Sequence, residues 1–328
     1  MNTDDKIRPF YIAKLLYNLT DEDHYLTTSQ IQELLKSKYG LDVHRQTIPK
    51  DIEILQQAGM DIQVVSSAQN RYSLVARAFD DAELKLLIDA AASAKFISKK
   101  KSELLAAKLA AHASLYRADD LKRNISVESR IKSDNEHTLL IIDAVNEAIN
   151  QKKQIAFQYF RYNVRKRREA KWNGYWYHMS PYRLVWNGDY YYVIGYYEKY
   201  KSITSFRIDR MVDRPIILQS DALPMPKGFN LDNHINSMFR MYSAGTDRQS
   251  VQLCCENDII DAMIDRFGKT VKTRILDPEH FEADVVVAVN SVFFSWVFGF
   301  EGKVVITGPD DVKERYAEMI RAAANKLE

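Results

Sequence analysis

Arginine meets tyrosine at two places in this chain, and phosphate chemistry is what that pairing does best. The run SFRIDRM supplies two guanidinium groups, Arg207 and Arg210, from one short stretch. A guanidinium is a planar fork that donates two parallel hydrogen bonds to a phosphate or carboxylate. Alternation along a strand sends Phe206 and Ile208 to one face and Arg207 to the other. In DYYYVIGYY the same alternation puts Tyr190 and Tyr192 on one face, Tyr191 and Val193 on the other. Rings beside guanidiniums would make an anion site with stacking surfaces, each stacked base contributing roughly 1–3 kcal/mol. The plainer alternative is that the arginines form ordinary ion pairs around Asp209 while the tyrosines only pack.

The second place is YFRYNVRKRREAKWNGYWY. Arg161, Arg165, Lys166, Arg167, Arg168 and Lys171 stand there against Glu169 alone, flanked by Tyr159, Tyr162, Trp172 and Trp176. Basic side chains interleaved with aromatics suit single-stranded nucleic acid or phosphate-rich ligands. They equally suit a solvated hairpin whose charges prevent aggregation. Catalytic signatures are missing: there is no HExxH, GxSxG, Walker A loop or GxGxxG. The seven histidines are scattered without metal-ligand spacing, so no metal or cofactor is expected. Cys254 and Cys255 are adjacent, cannot staple distant segments, and suit a reducing, cytoplasmic environment. An enzyme is not expected.

The elements that must hold these groups follow from periodicity. The chain has 328 residues, enough for several domains, and a net charge of only +2. Its start, MNTDDKIRPF, is polar and unlike a signal peptide. The greasy stretch Val285–Phe300 reads as a buried strand followed by an apolar helix, not as a membrane span. Residues 1–75 read as three helices and a β-ribbon. Ile12, Leu15, Leu16 and Leu19 mark the first; Thr27 with Gln30 suggests a capping box opening the second, and Gly40 stops it. The third, RQTIPKDIEILQQAG, buries Ile48, Ile52 and Leu55, and Pro49 threatens to kink its first turn. Ser66 to Arg71 would be the tip of a wing.

Residues 76–135 read as a helical connector opened by a capping box of Asp80 and Glu83, and a further helix carries Leu139, Ile142, Val145 and Ile149 on one side. Residues 136–220 are otherwise dense in β-formers. Asn187-Gly188 would supply the two φ > 0 residues of a type I′ hairpin turn. Residues 221–247, with Pro224, Pro226 and Gly228, read as a linker. Residues 248–328 read strand, helix, strand, apolar helix, strand, helix, a small α+β domain, so the whole is an α+β multidomain chain.

A helix-turn-helix with polar residues on the outer face of its second helix fits the major groove. Arg45 and Gln46 at the N-terminal end, with Thr47, are placed to meet base edges, while Lys50 and Arg71 are candidate phosphate contacts. Against this stands the charge of residues 1–75, eight Lys/Arg to ten Asp/Glu, which suits a protein-interaction unit as well. A homodimer would double the phosphate contacts.

These strings resemble the WYL-domain family of bacterial transcriptional regulators. RQTIPKDIEILQQAGMDI looks like that family's recognition helix and turn into the wing. HMSPYRLVWNGDYYYVIGYY followed by SFRIDRM is similar to its signature, with Tyr190-Tyr191-Tyr192 standing for the naming triplet and keeping the central Tyr. The segment with Trp296, Phe298, Gly299 and Gly308-Pro309 looks like its C-terminal extension. The resemblance implies an N-terminal winged helix-turn-helix, a Sm-like or SH3-like small β-barrel and a C-terminal α+β domain. In the barrel His178, Tyr182, Tyr190 and Tyr191 would gather around Arg207 and Arg210. It further implies a double-stranded DNA operator, a nucleotide or single-stranded nucleic-acid effector, and a homodimer, to which the apolar helix 292–300 would contribute. The alternative function is a non-catalytic accessory protein that binds RNA or single-stranded DNA through the barrel and modulates a partner. A nucleotide-processing enzyme is a third possibility.

Overall fold

A computed structural model describes residues 3–67, 69–123, 131–238, 241 and 248–327. They form two compact units, 1–136 and 137–328. In the first, α1 (Thr3–Leu19), β1 (Leu26–Thr27), α2 (Thr28–Tyr39), α3 (Thr47–Gln57), β2 (Ile62–Val65) and β3 (Arg71–Leu74) follow in order. β3 lies between β1 and β2 in an antiparallel sheet. The capping box is present: the Thr27 hydroxyl accepts from the Gln30 N–H, and the Gln30 side chain accepts from the Thr27 N–H. Gly40 closes α2 at φ 70°, the left-handed conformation that a Cβ would disfavour. Ile12, Leu15 and Leu16 pack with Ile31, Leu35, Ile48, Ile52, Leu55, Tyr72 and Leu74 in one core.

Two expectations for α3 need correction. The helix begins at Thr47, so Arg45 and Gln46 lie in the turn before it. Pro49 is then its third residue, where the backbone N–H has no helical acceptor in any case, so no helix bond is lost. Periodicity also missed Asp51, buried on the inner face of α3 beside Ile48 and Ile52. The Arg8 guanidinium donates to it from Nε at 2.5 Å and Nη2 at 3.2 Å.

The connector contributes α4 (Asp81–Ser93), α5 (Lys99–Ala110) and α6 (Leu115–Arg123), packed through Leu84, Ile88, Ala106, Ala110 and Leu121. The Asp80–Glu83 capping box opens α4; residues 124–130 of the connector lie outside the described residues. Its join to the preceding helices is polar. Buried Asp21 accepts from the Ser114 hydroxyl at 2.5 Å, from a His24 ring nitrogen at 2.7 Å, and from the backbone N–H groups of Asp23 and His24. Arg77 donates to the carbonyls of Tyr17 and Thr20.

The second unit opens with α7 (Thr138–Gln151) and then β4 (Lys153–Gln158), β5 (Phe160–Tyr162), β6 (Arg168–Ala170), β7 (Trp176–Asn187), β8 (Tyr190–Tyr197), β9 (Ser202–Arg207) and β10 (Ile216–Asp221). The part expected to form a small barrel is a five-stranded antiparallel sheet in the order β10-β4-β7-β8-β9, with β5 and β6 paired as a separate hairpin. α7 buries Ile141, Val145 and Ala148, an i, i+4, i+7 stripe, leaving Leu139, Ile142 and Ile149 beside it, so the expected face is turned by one residue. The tight turn also differs. Asn187 and Tyr190 pair with each other, the central residues are Gly188 and Asp189, and of these only Gly188 has positive φ, 56°. Glycine at the first central position is the type II′ pattern.

The expected linker holds a short helix, α8 (Leu231–Ser237); residues 239–240 and 242–247 of it lie outside the described residues. Then come β11 (Arg248–Glu256), α9 (Ile260–Phe267), β12 (Lys272–Ile275), β13 (His280–Ala288), α10 (Ser291–Phe298), β14 (Val304–Gly308) and α11 (Asp310–Ala324). The order β12-β13-β11-β14, antiparallel throughout, is a split βαβ arrangement. It has one strand more than expected, because the Asp277 carboxylate, accepting from the N–H groups of Glu279 and His280, turns the chain between β12 and β13. Val285–Phe300 is, as expected, the end of a strand and an apolar helix. α10 turns Phe293, Phe294 and Val297 into its own core and leaves Phe298 exposed. Among the described residues no helix is long and apolar enough to cross a membrane.

Candidate functional site

In the first unit, the inner face of α3 is locked by Ile48, Ile52 and Leu55, which leaves Arg45, Gln46 and Lys50 exposed around its N-terminal end and Thr47 half-buried. Arg71 is the first residue of β3, exposed, with its guanidinium carbon 4.5 Å from the centroid of the Tyr25 ring. These five side chains therefore sit on one turn-and-helix start and one ribbon.

In the second unit the expected six-residue cluster divides. Arg207 is opposite Tyr192 in the β8–β9 ladder, so its side chain shares a face with Tyr190 and Tyr192, not with Tyr191. Its fork is engaged by Asp209, Nε to Oδ1 at 3.1 Å and Nη2 to Oδ2 at 2.8 Å, and it stacks over Tyr190 with the guanidinium carbon 3.3 Å from the ring centroid. Asp209 is buried in the middle of a single 3₁₀ turn, residues 208–210, that follows β9. The Tyr159 hydroxyl accepts from the Arg207 backbone N–H at 3.2 Å, and burial pushes this phenol well above its ordinary range. Arg207 thus meets a carboxylate along its Nε–Nη2 edge.

Arg210 goes elsewhere. The 3₁₀ turn swings it onto the β5–β6 hairpin, where its guanidinium carbon lies 4.7 Å from the Tyr162 centroid and 5.6 Å from that of Phe160. Arg168, across the hairpin, lies 4.6 Å from the same Phe160 ring. The two groups of basic residues that the sequence presents separately are therefore joined through Phe160. The hairpin is well built: the Asn163 side chain accepts from the N–H groups of Arg165 and Arg167 and donates to Glu169, and its N–H donates to the Arg167 carbonyl. Lys166 takes positive φ, 60°, at the tip. Arg165, Lys166 and Arg167 project there around a fully exposed Val164, while Arg161 lies 3.9 Å from Glu169 and Lys171 begins the way back to β7.

The remaining candidates are scattered. His178 points to solvent from β7 between buried Tyr177 and Met179, and so leaves the cluster. Tyr182 and Tyr191 line a cleft of about 650 Å³ beside α7 with Leu139, Ile142 and Ile149. The Tyr182 hydroxyl donates to the Pro224 carbonyl at 3.1 Å. Tyr159 and Phe160, which organise both arginines, carry no charge and were legible only as part of an aromatic-rich run.

Comparison with known proteins agrees with this part of the chain. Residues 141–215 match the family described as the WYL domain, so the chain carries a WYL domain. Among curated proteins none matches. The chain is similar in structure to "Proteasome accessory factor B/C (PafBC) of Arthrobacter aurescens", with 17% identity, a TM-score of 0.28 and coverage of 98% of this chain and 47% of that one. It therefore spans about half the length of that protein. It is also similar to a "CRISPR Cas-related protein", with 12% identity, a TM-score of 0.39 and coverage of 99% and 84%.

Proposed function

We propose that the protein is a nucleic-acid-binding regulator: a winged helix-turn-helix reads an operator duplex, and the WYL domain responds to a nucleotide or a single-stranded nucleic acid. The observation that carries the reading is α3, whose inner face is fixed by Ile48, Ile52 and Leu55 while Arg45, Gln46 and Lys50 stand outside the core at its N-terminal end. Side chains there reach base edges, and a ribbon bearing Arg71 is suited to the adjoining backbone. For the effector the supporting feature is the strip Arg168–Phe160–Arg210–Tyr162 together with the tip of the hairpin, where stacking planes alternate with cations. Regulation then requires that effector and operator favour different states of the chain by a definite free energy. Two copies would double the phosphate contacts of a reader whose own charge is slightly negative.

Electrophoretic mobility shifts with the gene's upstream DNA test this. Arg45→Ala with Gln46→Ala is expected to erase sequence preference, since each side chain that pairs with a base edge discriminates by roughly 1–3 kcal/mol. Lys50→Ala is expected to weaken all sequences alike and to lower the salt slope by about 1. Arg210→Gln should abolish the response to oligonucleotide while leaving operator binding intact. An absence of sequence-preferring binding at moderate salt, with and without oligonucleotides, would overturn the reading. The acidic balance of residues 1–75 favours a second one, an accessory protein that binds RNA or single-stranded DNA through the hairpin. In that case Arg210→Gln abolishes activity and the Arg45, Gln46 pair is dispensable.

A further inference from the structure

Three helices, α9, α10 and α11, cover one face of the C-terminal sheet, and alternation fixes what the other face carries. Val251, Leu253 and Cys255 on β11 and Ala283, Val285 and Val287 on β13 point into the core. Arg248, Ser250 and Gln252 therefore share the outer face of β11. The register adds Lys272 on β12, since Asp284 of β13 is opposite both Gln252 and Lys272. Helix α8 borders this face, and a groove of about 810 Å³ runs between them, its lining including the turn Gly268–Val271 that follows α9. That volume lies within the usual span for small-molecule sites, roughly 300–1,000 Å³.

The lining is polar and cationic. Arg248, Arg266 and Lys272 face a single carboxylate, Asp284, and hydroxyl and amide donors from Ser250, Thr270 and Asn233 stand between them. Arg266 is held in place, its Nη2 donating to the Met238 carbonyl at 2.9 Å and the Asn236 carbonyl at 3.4 Å at the end of α8. Burial lowers the pKa of this guanidinium, and in its partly desolvated setting attraction to an anion is less screened. None of these residues belongs to the segment 141–215 that matches the WYL domain.

We propose that this groove is a second ligand site, distinct from the hairpin strip, and that it takes a phosphate monoester of small-metabolite size. Arg248 and Lys272 would contact the phosphate, Arg266 would set the field, and the hydroxyl and amide donors would orient the remainder of the molecule. The opposing charge of Asp284 limits affinity.

Calorimetric titration of the full chain with AMP, ribose 5-phosphate, adenosine and citrate decides it. Binding of AMP or ribose 5-phosphate, but not adenosine, supports the site. A preference between the two esters tells whether a nucleotide or a sugar phosphate is the source. Arg248→Gln and Lys272→Gln, both on the sheet surface, are each expected to weaken binding on the order of tenfold, and Asp284→Asn to strengthen it. Failure of both esters, equal binding of citrate, or indifference to Arg248→Gln and Lys272→Gln overturns the proposal. Loss of ester binding in Arg210→Gln instead would assign the phosphate to the WYL domain, overturning the groove while leaving the operator reading intact.

Discussion

Asp209 shows how a single carboxylate decides what a neighbouring cation is for. It is buried, and the Nε–Nη2 edge of the Arg207 fork is turned toward it. Removing it strands a partly buried guanidinium over Tyr190, so Asp209→Asn is expected to destabilise the fold by about 1–3 kcal/mol, measured by urea unfolding. Asp21 is the matching case in the first unit. Burial alone would raise its pKa, but hydrogen bonds from Ser114, His24 and the backbone N–H groups of Asp23 and His24 outweigh it and hold the carboxyl below its ordinary value. A depressed carboxyl stabilises the fold fully above the ordinary range near 4 and loses that contribution as pH falls through the lower folded value. Unfolding free energy should therefore fall on acidification below about pH 4, and Asp21→Asn should flatten that part of the profile. The cysteines differ too: burial pushes the Cys255 thiol up to about 12, while Cys254 is half-exposed. A thiol reagent at pH 8 should label the native chain at Cys254 and spare Cys255; labelling of both at one rate would contradict the packing.

At the scale of elements, close approach governs the sheet. A Cβ on Gly195 would stand 2.2 Å from the Ser180 carbonyl oxygen and 2.9 Å from the Pro181 Cα, at the point where the β7–β8 register shifts between Pro181 and Arg183. Backbone cannot step aside as a side chain can, so Gly195→Ala is expected to cost more than about 2 kcal/mol, read as a lowered urea midpoint. The elements themselves were largely legible, because caps and alternation are local: Thr27–Gln30, Asp80–Glu83, Gly40 and the β8 strand need only their neighbours. What local patterns could not carry was partner choice. The one-residue turn of the α7 face, the split of β12 from β13 and the ion pair of Arg8 with Asp51 depend on segments far away in the chain. The candidate site was legible as residue types and not as a constellation, because the 3₁₀ turn at 208–210, invisible in composition, sends Arg207 and Arg210 to different neighbours.

For the whole molecule, a net charge of +2 conceals a very uneven distribution: residues 1–75 are slightly acidic, while 161–171 hold six cations against one anion. Attraction to nucleic acid at moderate salt should therefore be set by the second region, not by average charge. Neutralising Arg165, Lys166 and Arg167 together is expected to reduce the salt slope for single-strand binding by about 2, since each phosphate that a cation neutralises on a single strand adds roughly 0.7 to that slope. An unchanged slope would mark the tip as a solvated loop.

Among the described residues, strands β5 and β6 pair with each other and with no strand of the five-stranded ladder. That independence makes the arginine-bearing finger a replaceable part. Its tip can lengthen, shorten or change sign without disturbing the register of the ladder beneath.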